Sequence, residues 1–136
     1  MARYVLFLAL AATIVPSGAH AEWMRIGSST SGSVWYLDPA RVKSVGGKPQ
    51  AWIQVDSSKD KSVSWRRALQ LISFDCDSQK YRLLSYVDYD SYGKVIASNN
   101  FTDYGYGIGY EPIIPETMVE DVARLVCPSP ATQSPS

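Results

Sequence analysis

Histidine is almost absent from this chain: the 136 residues contain one, His20. We predict that His20 lies in a signal peptide, so the mature chain would contain no imidazole. Ser-His-Asp triads, Cys-His dyads and histidine metal sites all need that group. A Ser-Lys pair stays formally open because serines and lysines are numerous, but no spacing indicates one. We therefore predict that the protein is not an enzyme.

The chain also lacks a complete motif for a cofactor, a metal ion or acid–base catalysis. The glycine-rich segment 105–109 has no helix opening on its last glycine, which a dinucleotide-binding loop requires. Residues 88–93 begin like a calcium loop, but Tyr92 stands at the fifth position, where Asp or Asn is needed. Asp75 and Asp77 could supply a glycosidase carboxylate pair, but such residues are more often solvated turn carboxylates. We predict no cofactor and no metal site.

Long hydrophobic runs are missing as well. The longest extends over 12 residues, from Tyr4 to Val15, whereas a membrane-spanning helix needs about 20. Arg3 precedes this run and Ala19-His20-Ala21 follows it, which is the pattern of a signal peptide with its cleavage site. We predict a signal peptide over residues 1–21, with a membrane anchor as the alternative, and an exported mature chain without a membrane span.

An excess of charge of either sign is absent, because 13 basic residues balance 13 acidic ones. A chain with this balance has no general electrostatic attraction to nucleic acid or to an anionic membrane. We therefore predict no nucleic-acid partner.

Cysteine is scarce too, and the two that are present, Cys76 and Cys127, each end an apolar segment. In an exported protein of this size two cysteines predict a disulfide, and two free buried thiols are the alternative. With about 50 residues between them, a disulfide would stabilise the fold by about 4 kcal/mol in the chain-entropy model.

The remaining pattern is that of a small α+β domain over residues 22–127. Short runs of β-branched and aromatic residues, separated by turn-sized loops, predict a six-stranded antiparallel meander. No helical segment long enough for a parallel crossover lies between them. The predicted strands cover 23–27, 34–37, 51–55, 63–76, 81–87 and 95–98.

One amphipathic helix is predicted between Pro115 and Cys127. Val119, Val122 and Val126 follow the spacing that places side chains on one helix face, and a short helix of this kind needs a surface to lie on. Residues 128–136 are rich in proline and serine and predict a disordered tail.

Alternation alone does not decide which side of the sheet this helix covers, because the fourth predicted strand has apolar residues on both faces. Cys76 shares its parity with Ala68, Ile72 and Phe74. We predict that the helix lies on that side.

Two features favour binding. Tyr104, Tyr106 and Tyr110 lie in a glycine-rich segment, a composition typical of recognition loops. Arg66 and Arg67 form a local basic patch. The alternatives are that the tyrosines pack against the sheet edge and that the arginines are ordinary solvated hairpin charges. We predict these five residues as candidate binding residues.

The order of several short motifs resembles the surface-adhesin protein E family of Gram-negative bacteria. The motifs are 23–27, 34–38, 51–53, 75–76, 89–96, 114–116 and a helix that ends in Cys127. The resemblance implies a six-stranded antiparallel sheet with a C-terminal helix tied to its concave face by a Cys76–Cys127 disulfide. It also implies adhesion, with host vitronectin, laminin and plasminogen as ligands, an ability to dimerise and no catalytic activity.

The chain differs in one respect from the adhesin after which the family is named. The lipid anchor of that adhesin needs a cysteine directly after the signal peptide. Glu22 and Trp23 occupy those positions here. We therefore predict a periplasmic or secreted protein rather than one displayed at the cell surface. The predicted function is non-catalytic protein binding, with a host matrix protein as candidate partner. The alternative is a periplasmic module that binds a small molecule or stabilises an envelope complex.

Overall fold

The fold is one antiparallel sheet with one helix on it. The computed structural model describes residues 22–101 and 109–128. The strands are β1 (Met24–Ser28), β2 (Val34–Leu37), β3 (Lys43–Val45), β4 (Lys48–Asp56), β5 (Arg67–Asp75), β6 (Lys80–Tyr89), β7 (Val95–Asn100) and β8 (Glu111–Pro112). A single 3-10 turn (Pro39–Arg41) follows β2, and the helix α1 is Met118–Val126. None of the helices in these two ranges is long and apolar enough to cross a membrane.

The six strands expected from the sequence form the main path of the sheet, in the order β1-β2-β4-β5-β6-β7. The sheet nevertheless has eight strands, so the predicted number is wrong: β3 pairs with β4, and β8 pairs with β6. Gly46 and Gly47 both have positive φ, 60° and 77°, and they connect Val45 directly to Lys48. Two such residues make the turn of a tight β-hairpin, which brings β3 against the first residues of β4.

β5 begins at Arg67 rather than at residue 63, because Asp60 organises the preceding loop. The Asp60 carboxylate is buried and accepts hydrogen bonds from the hydroxyls of Ser31 (2.8 Å) and Ser33 (2.6 Å). Ser62 also donates to it through its backbone N–H, at 2.9 Å. These donors, with the Ser33 hydroxyl as the largest cause, hold the pKa of Asp60 well below its ordinary value. A buried charge needs such partners. The hydrogen bonds to Asp60 hold the loop in a conformation that does not pair with the sheet.

The core lies between α1 and the sheet face that carries the even-numbered residues of β5. Ala68, Ile72 and Phe74 are each at most 1% exposed, and Val122 of the helix is 0% exposed. The predicted side for the helix is therefore confirmed. The buried cluster consists of Leu37, Ala51, Ile53, Val55, Ala68, Ile72, Phe74, Val122 and Ala123.

One cap defines the start of α1, and two contacts fix the helix on this face. The Thr117 hydroxyl caps its first turn by accepting from the backbone N–H of Glu120, at 3.4 Å. Asp121 accepts from the indole nitrogen of Trp35, at 3.2 Å. At the other end the Cys76–Cys127 disulfide joins the helix to the end of β5, with the two Cα atoms 5.7 Å apart. The predicted disulfide is confirmed.

Glycine at position 27 permits the close approach of β1 and α1. A Cβ atom at Gly27 would collide with the Trp35 indole and lie 2.7 Å from a carboxylate oxygen of Asp121. The hydrogen bond between Trp35 and Asp121 therefore passes directly over a residue without a side chain.

Candidate functional site

The sheet face turned away from α1 is not covered by any element of the described residues, and we call it the open face. Strand register assigns its members, because directly paired residues share a face. Leu69 pairs with Gln54 and Val87, and Leu71 pairs with Trp52. The apolar centre of this face consists of Tyr36, Trp52, Leu69, Leu71 and Val87, all half-buried. None of the five packs against the helix-side core.

An arginine stacked on a tyrosine borders one end of the open face. Arg67 and Tyr89 lie directly opposite each other on β5 and β6. The guanidinium carbon of Arg67 is 4.3 Å from the centre of the Tyr89 ring, which is the geometry of a cation–π contact. Arg67 remains exposed, so its donors stay accessible to a partner.

The opposite end of the open face is bordered by Tyr110 and Lys48. The Tyr110 hydroxyl lies 3.0 Å from the hydroxyl of Ser73. The Lys48 ammonium is 5.9 Å from the centre of the Tyr110 ring and 4.0 Å from an Asp75 carboxylate oxygen. Tyr110 therefore closes this end with a polar hydroxyl and leaves a cation beside it.

Charge is distributed unevenly between the two sides of the sheet. Register places five basic and two acidic residues at strand positions of the open face: Arg25, Lys43, Lys48, Arg67 and Lys80, with Asp56 and Asp75. Arg82 is left out of this count because its Nε is buried. The helix side carries acidic residues on its strands and on α1, namely Asp88, Glu111, Glu120 and Asp121, with Arg124 as the one basic residue of the helix. A nearly neutral chain thus presents a basic face and an acidic face.

The sequence-predicted site residues fall into three groups. Arg67 and Tyr110 lie at the two ends of the open face, as described above. Arg66 is half-buried, and its guanidinium donates to the backbone carbonyl of Asp60, at 3.0 Å, and to two further carbonyls of the same loop. Tyr104 and Tyr106 lie outside the described residues.

The apolar centre was missed as a site. Its signal was present, because Trp52 stands between the apolar Ala51 and Ile53 in β4, and β5 has Leu69 and Leu71 on one face and Ala68 and Ile72 on the other. A strand that is apolar on both faces needs cover on both sides. The described residues supply that cover on one side only.

A second concave feature lies on the helix side, where the first turn of α1 meets β5 and β6. It has a volume of about 300 Å³ and is lined by Gln70, Ile72, Tyr81, Arg82, Leu83, Gly109, Glu111, Met118 and Val119. The Tyr81 hydroxyl donates to Glu111 at 3.4 Å. Burial, reinforced by the nearby Glu111 carboxylate, raises the pKa of Tyr81. Among the described residues no three metal-ligating side chains are grouped closely enough to hold an ion.

One of the comparisons with known proteins agrees with the resemblance seen in the sequence. No curated protein and no solved structure gives a significant match to the chain. The sequence model of one family, described as surface-adhesin protein E, matches residues 23–128. This range extends from the residue before β1 to the residue after the disulfide-bonded Cys127. The chain therefore belongs to the surface-adhesin protein E family.

Proposed function

We propose that this protein is an exported, non-catalytic binding protein and that a partner protein binds to the open face. The observation that carries the proposal is the apolar centre of this face, whose five large side chains are half-buried and have no described element over them. Contiguous exposed apolar surface rimmed by polar groups is typical of protein interaction sites. Membership of an adhesin family supports the same class of function.

The composition of the open face supports a protein partner on energetic grounds. Trp, Tyr and Arg dominate the residues that carry binding energy at protein interfaces, and this face has Tyr36, Trp52, Arg67 and Tyr89. Complete burial of one such apolar side chain contributes roughly 1.5–3 kcal/mol.

The partner class that follows from the family is a host extracellular-matrix protein. Vitronectin, laminin and plasminogen are the candidates implied by the resemblance. Export through a signal peptide at residues 1–21 would bring the protein to the compartment where such partners are met.

The test is a surface plasmon resonance measurement of the purified mature protein over immobilised vitronectin, laminin and plasminogen. We expect binding to at least one of them that is weakened by Trp52→Ala and by Leu71→Ala. Leu125→Ala is the matched control, because Leu125 is a 52% exposed residue on the solvent side of α1. Circular dichroism with thermal melting verifies that each variant is folded. Equal binding by all three variants would move the site away from the open face.

The resemblance also implies that the protein can form a homodimer. We propose that this dimer forms through another surface and leaves the open face accessible. Pairing two open faces would bring five basic residues of one copy against five of the other. Sedimentation velocity of the free protein and of its complex measures this, and loss of the dimer on partner binding would place the dimer contact on the open face instead.

Small-molecule binding is a second candidate function, supported by the helix-side cavity. A volume of about 300 Å³ lies at the lower limit of ordinary ligand pockets. Fluorescence of a small apolar dye should rise with the wild-type protein and fall when Leu83→Phe fills the cavity. The same dye signal from both proteins would rule the cavity out as its binding site.

A further inference from the structure

We infer that the segment that binds the open face is an acidic amphipathic segment of a partner protein, with carboxylates on both sides of an apolar stripe. This inference rests on the proposed function and specifies the chemistry of the partner. The charge pattern of the open face carries it. Five basic side chains against two acidic ones give the strand positions of this face a net charge of +3.

The basic residues lie at the two ends of the open face, and the apolar residues lie between them. At the end where β5 begins, Arg67 is paired with Asp56, and Arg25 lies on the nearby edge strand. At the end where β5 finishes are Lys43, Lys48 and Lys80, with Asp75 as the one acidic residue at these strand positions. The partner should therefore carry most of its acidic residues at the end that meets the finish of β5.

The length of the partner segment follows from the length of β5. The path from Arg67 to Asp75 covers about 26 Å at the rise of a β-strand. A helix needs about 18 residues to reach from one basic end to the other, and an extended segment needs about 8.

The apolar centre distinguishes a protein partner from a simple polyanion. Trp52, Leu69 and Leu71 lose contact with water only if apolar groups cover them. A sulfated polysaccharide or a nucleic-acid backbone would satisfy the basic ends but would not bury these three side chains. An amphipathic protein segment supplies both kinds of contact, as α1 does on the other side with Val122 over the sheet and Arg124 towards solvent.

The terminal segments of this chain do not have the required chemistry, because residues 1–21 and residues 129–136 contain no acidic side chain. Residues 102–108 contain a single carboxylate, Asp103, which cannot supply acidic groups to both ends of the open face. A second copy bound through its own open face would bring like charges together, which disfavours that association. A different polypeptide is therefore the occupant that fits the charge pattern.

The experiment measures binding of a fluorescent 18-residue helical peptide that carries Leu and Phe along one face and Glu at both ends. Two matched peptides carry Lys in place of Glu, or Ser in place of Leu and Phe. We expect the mature protein to bind the acidic amphipathic peptide alone, with an affinity that falls as the salt concentration rises. Equal binding of the lysine peptide would overturn the inference. So would binding of heparin, duplex DNA or phosphatidylglycerol vesicles without binding of the peptide.

Charge-reversal variants of exposed residues locate the peptide on the open face. The double variant Lys43→Glu with Lys80→Glu should weaken binding by roughly tenfold or more, and Arg67→Glu should weaken it less, because fewer basic residues lie at that end. The matched control is Lys61→Glu with Lys94→Glu, which changes the net charge equally at exposed loop positions. Loss of binding in the control as well would indicate a general charge effect and would overturn the location.

The two proposals fail in different ways. If Trp52→Ala weakens binding of a matrix protein and the charge-reversal variants leave it unchanged, the open face is the site and the acidic character of the partner is wrong. If neither type of variant changes binding, both proposals are wrong.

Discussion

The two faces of β4 and β5 differ in exposure although both are apolar. On β4, Ala51 and Ile53 point to the helix side and are both 0% exposed. Trp52 lies between them in the sequence, points the other way and is half-buried. The difference comes from what lies above each face, since α1 covers one and no described element covers the other. Apolar content alone therefore does not distinguish a residue that stabilises the fold from one that is available to a partner.

The largest expected effect on stability comes from truncating a core residue on the helix side. The matched truncation on the open face should have a smaller effect. Phe74→Ala removes a fully buried ring and should lower the free energy of unfolding by about 3–5 kcal/mol. Leu71→Ala in the same strand should cost less than half as much, because its side chain is already partly solvated. Urea denaturation of both variants measures the two costs. Equal costs would mean that the open face is as well covered as the core.

Removal of the disulfide should destabilise α1 on the helix side of the sheet and leave binding at the open face intact. The double variant Cys76→Ser with Cys127→Ser releases a crosslink over a sequence separation of 51 residues and should cost about 4 kcal/mol in the chain-entropy model. Hydrogen exchange should increase mainly in α1, while partner binding at the open face persists if the sheet stays folded. Loss of protection that is uniform over all strands would contradict this separation of the two faces.

Gly27→Ala tests the close approach of the helix to β1. The new Cβ would overlap the Trp35 indole, and overpacking of this kind costs about 1–3 kcal/mol. Gly109→Ala is the matched control, because a Cβ there meets no atom within 4 Å. Thermal melting of both variants gives the comparison. An unchanged melting temperature for Gly27→Ala would show that α1 can shift without cost.

The smallest expected effect concerns the border of the open face. Tyr89→Leu removes the ring beneath Arg67 and should cost about 0.5–1 kcal/mol of stability, since the cation–π contact lies at an exposed site. Arg67→Ala in the Tyr89→Leu background isolates the contact through a double-mutant cycle. A coupling energy of zero would mean that Arg67 is held by other contacts.

Much of the fold could be predicted from the sequence, and the exceptions have physical causes. The six main strands and α1 are long enough to display their periodicity, and the scarcity of cysteine left one possible disulfide. β3 and β8 contain three and two residues, too few for a pattern to appear. The start of β5 depends on Asp60, whose hydroxyl partners Ser31 and Ser33 lie almost 30 residues away in the sequence.

The candidate site could be predicted only at its ends. Arg67 and Tyr110 were identified by composition, and both lie on the border of the open face. Arg66 has the same side chain as Arg67, but it donates hydrogen bonds to loop carbonyls. This difference depends on where the chain folds back. The apolar centre could not be assigned to either face until the position of α1 was known.

The location of Cys127 sets the order in which the domain is completed. Cys127 is synthesised after all the described strands, so the disulfide can form only when synthesis of the domain has ended. Until the disulfide forms, the helix that covers Ile53, Ile72 and Phe74 is held by noncovalent contacts alone, among them the hydrogen bond between Trp35 and Asp121. The covalent link between the helix and the sheet is therefore the last part of this domain to form.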